Sequence, residues 1–133
     1  VMLTFGFFAD AGLTVPLSAL SSTVSTAGGS ADSIVYFGSP DAGKSVTRDG
    51  GGDLVIQVLD DDPAGGIPGS AVRLALSAAG LDSAVGGASL NIGTSRTGGA
   101  LNALAVFVRV TLGAGSAATF SDLSLRMPDV LEV

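Results

Sequence analysis

Leu104-Ala-Val-Phe-Val-Arg-Val-Thr-Leu112 is the stretch whose reading decides the fold, because its apolar residues return at every second position. Leu104, Val106, Val108, Val110 and Leu112 share one side, and Ala105, Phe107, Arg109 and Thr111 share the other. Successive side chains of an extended chain point to opposite faces, so this spacing predicts a strand with one face in a core. A helix would scatter the same residues around its circumference. The stretch is therefore expected to be a central strand.

The same alternation recurs on either side of it. In Asp53-Leu-Val-Ile-Gln-Val-Leu59 the residues Leu54, Ile56 and Val58 are predicted to face inward, and in Ala71-Val-Arg-Leu-Ala-Leu-Ser77 the residues Val72, Leu74 and Leu76. Further strands are expected over residues 1–8, 33–37, 89–92 and 120–127, the last lining one side with Leu123, Leu125 and Met127. Residues 13–17 make a weaker candidate, since Pro16 has no N–H for a ladder and suits an edge. Turn clusters separate these runs: Ala27-Gly-Gly-Ser30, Asp49-Gly-Gly-Gly52, Asp62-Pro-Ala-Gly-Gly66, Gly86-Gly87 and Gly98-Gly99. One helical turn is expected near Ala78 and Ala79, with Gly80 opposing anything longer. There is no internal repeat and no linker long enough to divide the chain. The prediction is one all-β domain over residues 1–133, a two-sheet antiparallel sandwich of about seven or eight strands with immunoglobulin-like, Greek-key connections. A closed barrel is the competing architecture, disfavoured because a core of mostly Val, Leu and Ala suits two close-packed faces.

Composition narrows the function. Six basic residues against twelve acidic ones give a net charge of −6, which supplies no basic face for nucleic acid. Apolar residues make up 47% of the chain but are broken every few positions, and no window nears the roughly 18 uninterrupted apolar residues of a spanning helix, so no membrane partner is expected. The opening residues 1–8 lack a leading basic stretch and read as a strand, not as a signal peptide; Val1 ahead of Met2 leaves the true start open. With no Cys there is neither a disulfide framework nor a thiolate metal site, and with no His the commonest general base and metal ligand are missing. Charged residues are 14% of the chain, against roughly 25% in soluble domains. A surface that poor in charge is suited to being covered by neighbours.

Three motifs invite a chemical reading. Gly38-Ser-Pro-Asp-Ala-Gly-Lys-Ser45 satisfies the phosphate-loop pattern and follows the apolar run Ile34 to Phe37. Such a loop requires a helix directly after it, and here Gly50, Gly51 and Gly52 stand where that helix should run. Leu54 to Asp60 imitates the magnesium-binding strand of such enzymes, yet the few residues after Ser45 leave no room for a crossover helix. A strand, a bend and another strand are expected instead. Asp60, Asp61 and Asp62 could offer oxygen ligands to calcium, although a solvated turn before Pro63 is the plainer reading. A hydrolase without His would need a Ser-Lys pair with Lys44 as base, and nothing marks the serine. No catalytic, cofactor-binding or metal site is expected, and no enzymatic activity.

Two groups remain as candidate interface residues. Phe5, Phe7 and Phe8 crowd the amino-terminal strand, which together with the loops at residues 27–30 and 60–70 is a candidate contact region. Arg73 and Arg109 interrupt otherwise apolar segments on the side away from the main stripe. Either they face solvent, or they form ion pairs with a neighbour's carboxylates.

Several segments together resemble small virion proteins of tailed bacteriophages. These are Val35-Tyr-Phe-Gly-Ser-Pro-Asp-Ala-Gly43, Val72-Arg-Leu-Ala-Leu-Ser-Ala-Ala-Gly-Leu81, Gly87-Ala-Ser-Leu-Asn-Ile-Gly93, Asn102-Ala-Leu-Ala-Val-Phe-Val-Arg-Val110 and Ser121-Asp-Leu-Ser-Leu125. The resemblance covers roughly residues 33–133 and is carried by strand and turn motifs. It implies an immunoglobulin-like sandwich on the virion, serving as a capsid decoration (cement) protein or a tail component, with no active site. The implied partners are other virion proteins, the major capsid protein or tail proteins, and copies of the chain itself. A cell-surface adhesin or carbohydrate-binding module is the alternative from a different class; it would need an exposed aromatic pair or a calcium site.

Overall fold

The structure, a computed structural model, describes residues 4–17, 20–24, 29–60, 69–112, 118–127 and 130–132. The chain is all-β. In order come β1 (Gly6–Phe8), β2 (Leu20–Val24), β3 (Gly29–Gly38), β4 (Ser45–Arg48), β5 (Val55–Asp60), β6 (Val72–Ala75), β7 (Leu90–Asn91), β8 (Ser95–Thr97), β9 (Leu104–Leu112), β10 (Ala118–Arg126) and β11 (Val130–Glu132). Short 3-10 turns occupy Gly69–Ala71, Ala79–Asp82 and Ala100–Asn102.

The strands form three antiparallel sheets, ordered β1-β3-β9-β6, β2-β10-β5-β7 and β11-β4-β8. The expected sandwich of two sheets thus gains a third, smaller one, and eleven strands among the described residues replace seven or eight. The surplus consists of strands too short or too polar to show a period. Ser45–Arg48 holds a single aliphatic residue, and Ser95–Thr97 holds none.

β9 lies between β3 and β6, as its alternation demands. It pairs with β3 from Gly29↔Leu112 through Phe37↔Leu104, and with β6 from Val72↔Val110 through Ala75↔Phe107. Residues directly opposite across a ladder share a face. Hence Val106, Val108 and Val110 point the same way as Val35, Val72 and Leu74, and all six are buried. The second sheet adds Ile56, with Val58, Leu90 and Leu125 packed against it, and the third adds the wholly buried Val46. All three sheets therefore meet in one core, where each fully buried Val, Leu or Ile contributes about 1.5–3 kcal/mol.

Some details depart from the sequence expectation. β6 stops at Ala75, so Leu76 falls outside the alternation and is 49% exposed. Gly29 and Ser30, expected in a turn, belong to β3, which runs further than residues 33–37. Residues 13–17 contribute only a bridge, Phe8↔Pro16, on the outer edge of β1, where a missing N–H does no harm. The side chains of Leu112 and Leu123, residues 1–3 and the turn at residues 62–66 lie outside the described residues.

Two connections show why particular residues are needed. Asp10 accepts hydrogen bonds from the Thr14 N–H and hydroxyl (3.0 and 2.6 Å) and the Val15 N–H (2.9 Å), closing a turn that holds Leu13 at φ 57° and buries it. Gly50, Gly51 and Gly52 all take positive φ (84°, 89°, 98°), which only glycine adopts freely. They carry the chain from β4 in the small sheet to β5 in the second.

Truncating Ile56, fully buried where the sheets meet, to Ala should reduce unfolding free energy by ~2–5 kcal/mol in urea titrations. The fully exposed Leu101→Ala should stay within about 0.5 kcal/mol of the parent.

Candidate functional site

The phosphate-loop pattern folds as a closed bend. β3 ends at Gly38, residues 39–44 turn, and Ser45 begins β4, a strand and not a helix. Three of the bend's own amides are engaged within it. Asp41 N–H donates to Ser39 Oγ (3.1 Å), Gly43 N–H to Asp41 Oδ1 (2.9 Å) and Lys44 N–H to the Asp41 carbonyl (3.2 Å). The bend is also docked from outside: Gly98 N–H donates to the Lys44 carbonyl and Gly99 N–H to that of Ser39, both at 2.7 Å. A Cβ on Gly98 would stand 2.1 Å from the Asp41 carbonyl oxygen, so only glycine permits this approach. With a strand in place of the helix terminus and three of its amides turned to internal partners, the bend lacks the build of a phosphate loop.

Beside it lies a polar cluster that the sequence did not announce. Ser39 is wholly buried, and its hydroxyl shares a 2.5 Å hydrogen bond with that of Thr4. The Glu132 carboxylate accepts from the Thr4 N–H (2.6 Å), the Thr4 hydroxyl (2.8 Å) and the Phe5 N–H (2.9 Å). It thereby ties β11 to the segment entering β1. Burial pushes the Glu132 carboxyl up, but the Phe5 amide, the Thr4 donors and the Lys44 charge outweigh it and hold it below its ordinary value. These bonds join Ser39, Thr4 and Glu132 in one chain of hydrogen bonds across the junction of β3, β11 and the segment entering β1.

Arg109 is bound within its own chain. Its Nε and Nη2 reach Asp32 Oδ1 and Oδ2 at 2.8 and 3.0 Å in a two-pronged pair, and its Nη1 reaches Asp82 Oδ1 at 2.8 Å. Asp32 is its direct partner across β3–β9, and Asp82 closes the 3-10 turn Ala79–Asp82. The hydrogen bond and then the charge of Arg109 lower the Asp32 carboxyl, and both carboxylates raise the guanidinium. Arg73 stands directly opposite Arg109 across β6–β9 and donates only a long 3.5 Å bond to the Leu81 carbonyl. Among the described residues no carboxylate lies within ion-pair distance of it.

On this outer face of the first sheet Ile34 pairs with Phe107 and is 41% exposed. Ile34, Phe107, Ala78 and Leu81, together with Asp32 and Ser33, border an open, largely apolar cavity of about 230 Å3. Asp32, Ile34 and Asp82 escaped the sequence reading because their roles depend on register. Parity along β3 would have placed Asp32 and Ile34 on one face, but only the pairing sets that face against Arg109 and Phe107.

Of the phenylalanines of the amino-terminal segment, Phe5 and Phe7 turn toward the core, while Phe8 pairs with Tyr36 on the opposite face of the sheet. Phe5 and Phe7 approach Phe37 with ring centroids 5.8 and 5.2 Å apart, and Phe8 is buried. A second apolar cavity of about 170 Å3 lies among Phe5, Phe7, Phe37, Val46, Met127 and Val130. Asp60 ends β5, while its side chain, Asp61, Asp62 and most of the loops at 27–30 and 60–70 lie outside the described residues. No group of three potential metal ligands occurs among the described residues, and none of their helices is long and apolar enough to cross a membrane. No family model, curated protein or solved structure matches the chain.

Two outcomes are expected. Because Glu132, Asp32 and Asp10 all sit below their ordinary values, the stability they confer is complete above about pH 4.5 and is lost as pH falls through their lowered values. Melting temperature should accordingly drop on acidification below about pH 4.5, less steeply in Glu132→Gln than in the parent, as followed by circular dichroism. Isothermal titration of ATP with magnesium should give no binding heat, with Lys44→Ala indistinguishable from the parent; measurable affinity abolished by Lys44→Ala would overturn the reading of the bend.

Proposed function

We propose that the chain is a non-enzymatic structural protein of a virion, working as a capsid decoration protein that stabilises the head lattice. The observation that carries this reading is the outer face of the first sheet, where Ile34 and the apolar cavity beside Phe107 and Leu81 stay open to solvent. Apolar surface left open on a sheet face is suited to being covered by a partner. The resemblance of residues 33–133 to small phage virion proteins supplies the setting. The low charge content supports it, since a lattice of close neighbours needs little surface charge for solubility. Many modest contacts repeated on a particle add through effective concentration, so no single interface has to be large.

A place in the tail would use the same surface. Purified virions that contain the chain should carry it in fixed stoichiometry, and gold-labelled antibody should decorate the heads in electron micrographs. Label on tails would move the protein to the alternative position. Its absence from washed particles would end the structural reading.

A further inference from the structure

We infer that the outer face of the β1-β3-β9-β6 sheet docks onto the same face of a second copy of the chain, in a two-fold contact that pairs Arg73 with the second copy's carboxylates. The inference deepens the assembly reading above by naming one partner of that surface. It draws on three observations.

The first is charge. Arg73, Arg109, Asp32 and Asp82 are brought together on this face and cancel, so the chain's net charge of −6 is carried elsewhere. Two copies approaching by this face keep their surplus negative charge apart. A strongly charged partner gains nothing from a face that sums to zero, whereas a copy brings the complementary set of two cations and two anions.

The second is incomplete pairing. Arg73 faces another guanidinium across the ladder, a destabilising arrangement, and has no carboxylate of its own among the described residues. Asp32 and Asp82, though bonded to Arg109, stay 50% and 75% exposed at the side chain and retain acceptor capacity. In an isologous contact every pair forms twice, so each Arg73 meets a carboxylate of the other copy.

The third is the apolar centre. Ile34 and the cavity bordered by Phe107, Ala78 and Leu81 adjoin the charged cluster, so apolar surface and complementary charges lie side by side on one face, as they do in interfaces.

Sedimentation velocity on the purified 133-residue chain over a range of concentrations tests the inference. The weight-average mass should rise from 12.9 kDa toward twice that value. Arg73→Glu and Ile34→Asp should each weaken association about tenfold or more. The double variant Arg73→Glu/Asp82→Arg should recover it, because a swapped pair regains complementarity while Arg109 keeps Asp32. Unchanged circular dichroism spectra would confirm that the variants fold. A chain monomeric at every concentration overturns the inference, as does a dimer indifferent to both single variants. The two readings separate cleanly. A monomer that still decorates particles leaves the virion role standing without this contact, and a dimer absent from particles does the reverse.

Discussion

The pairing of β3 with β9 is the constraint on which the rest of the molecule depends. Because side chains alternate strictly along a strand, a single choice of register assigns every residue of both strands to one of two environments. One assignment puts Val35, Val106 and Val108 in the core. The same assignment puts Asp32 beside Arg109 and Ile34 beside Phe107 on the opposite side. A slip of one residue would bury the charges and expose the valines, so the core and the candidate contact surface are specified by one event. β6 reinforces it from the other edge of β9.

That coupling also explains how much was legible beforehand. Where burial is one-sided and the strand is long, alternation declares both the element and its orientation, as in β9 and the stretch Leu54, Ile56, Val58. It fails at Leu76, because period two says nothing about where a strand stops. It is silent for β8 and β11, three-residue strands whose existence is decided by what β4 offers them. The third sheet was therefore invisible as a sheet, although its one deeply buried residue, Val46, is an ordinary core valine. The all-β class, the central strand and the strand, bend and strand across residues 34–48 could be read because each rested on local chemistry. The face that gathers Asp32, Asp82, Arg73 and Arg109 could not, since those residues lie far apart in sequence and only long-range register assembles them.

Three carboxylates share a task, each being tied to nearby backbone. Asp10 closes its own turn, Asp41 gathers the bend before β4, and Glu132 holds the entry to β1. In a chain with so few charges, carboxylates used as acceptors for otherwise unpaired amides are a substantial part of what fixes the loops. Arg109 differs, since its partners come from another strand and from a turn, and it pins the segment containing Leu81 onto the sheet.

The glycine run between β4 and β5 has a stereochemical consequence. A Cβ built at Gly50 or Gly51 would meet nothing within 4 Å, so what bars ordinary side chains there is handedness and not room. A mirror-image alanine takes positive φ as its ordinary range, so the φ already present would not oppose it. By narrowing the freedom of the unfolded chain it would also make the crossing between sheets stiffer than nature's achiral residue allows.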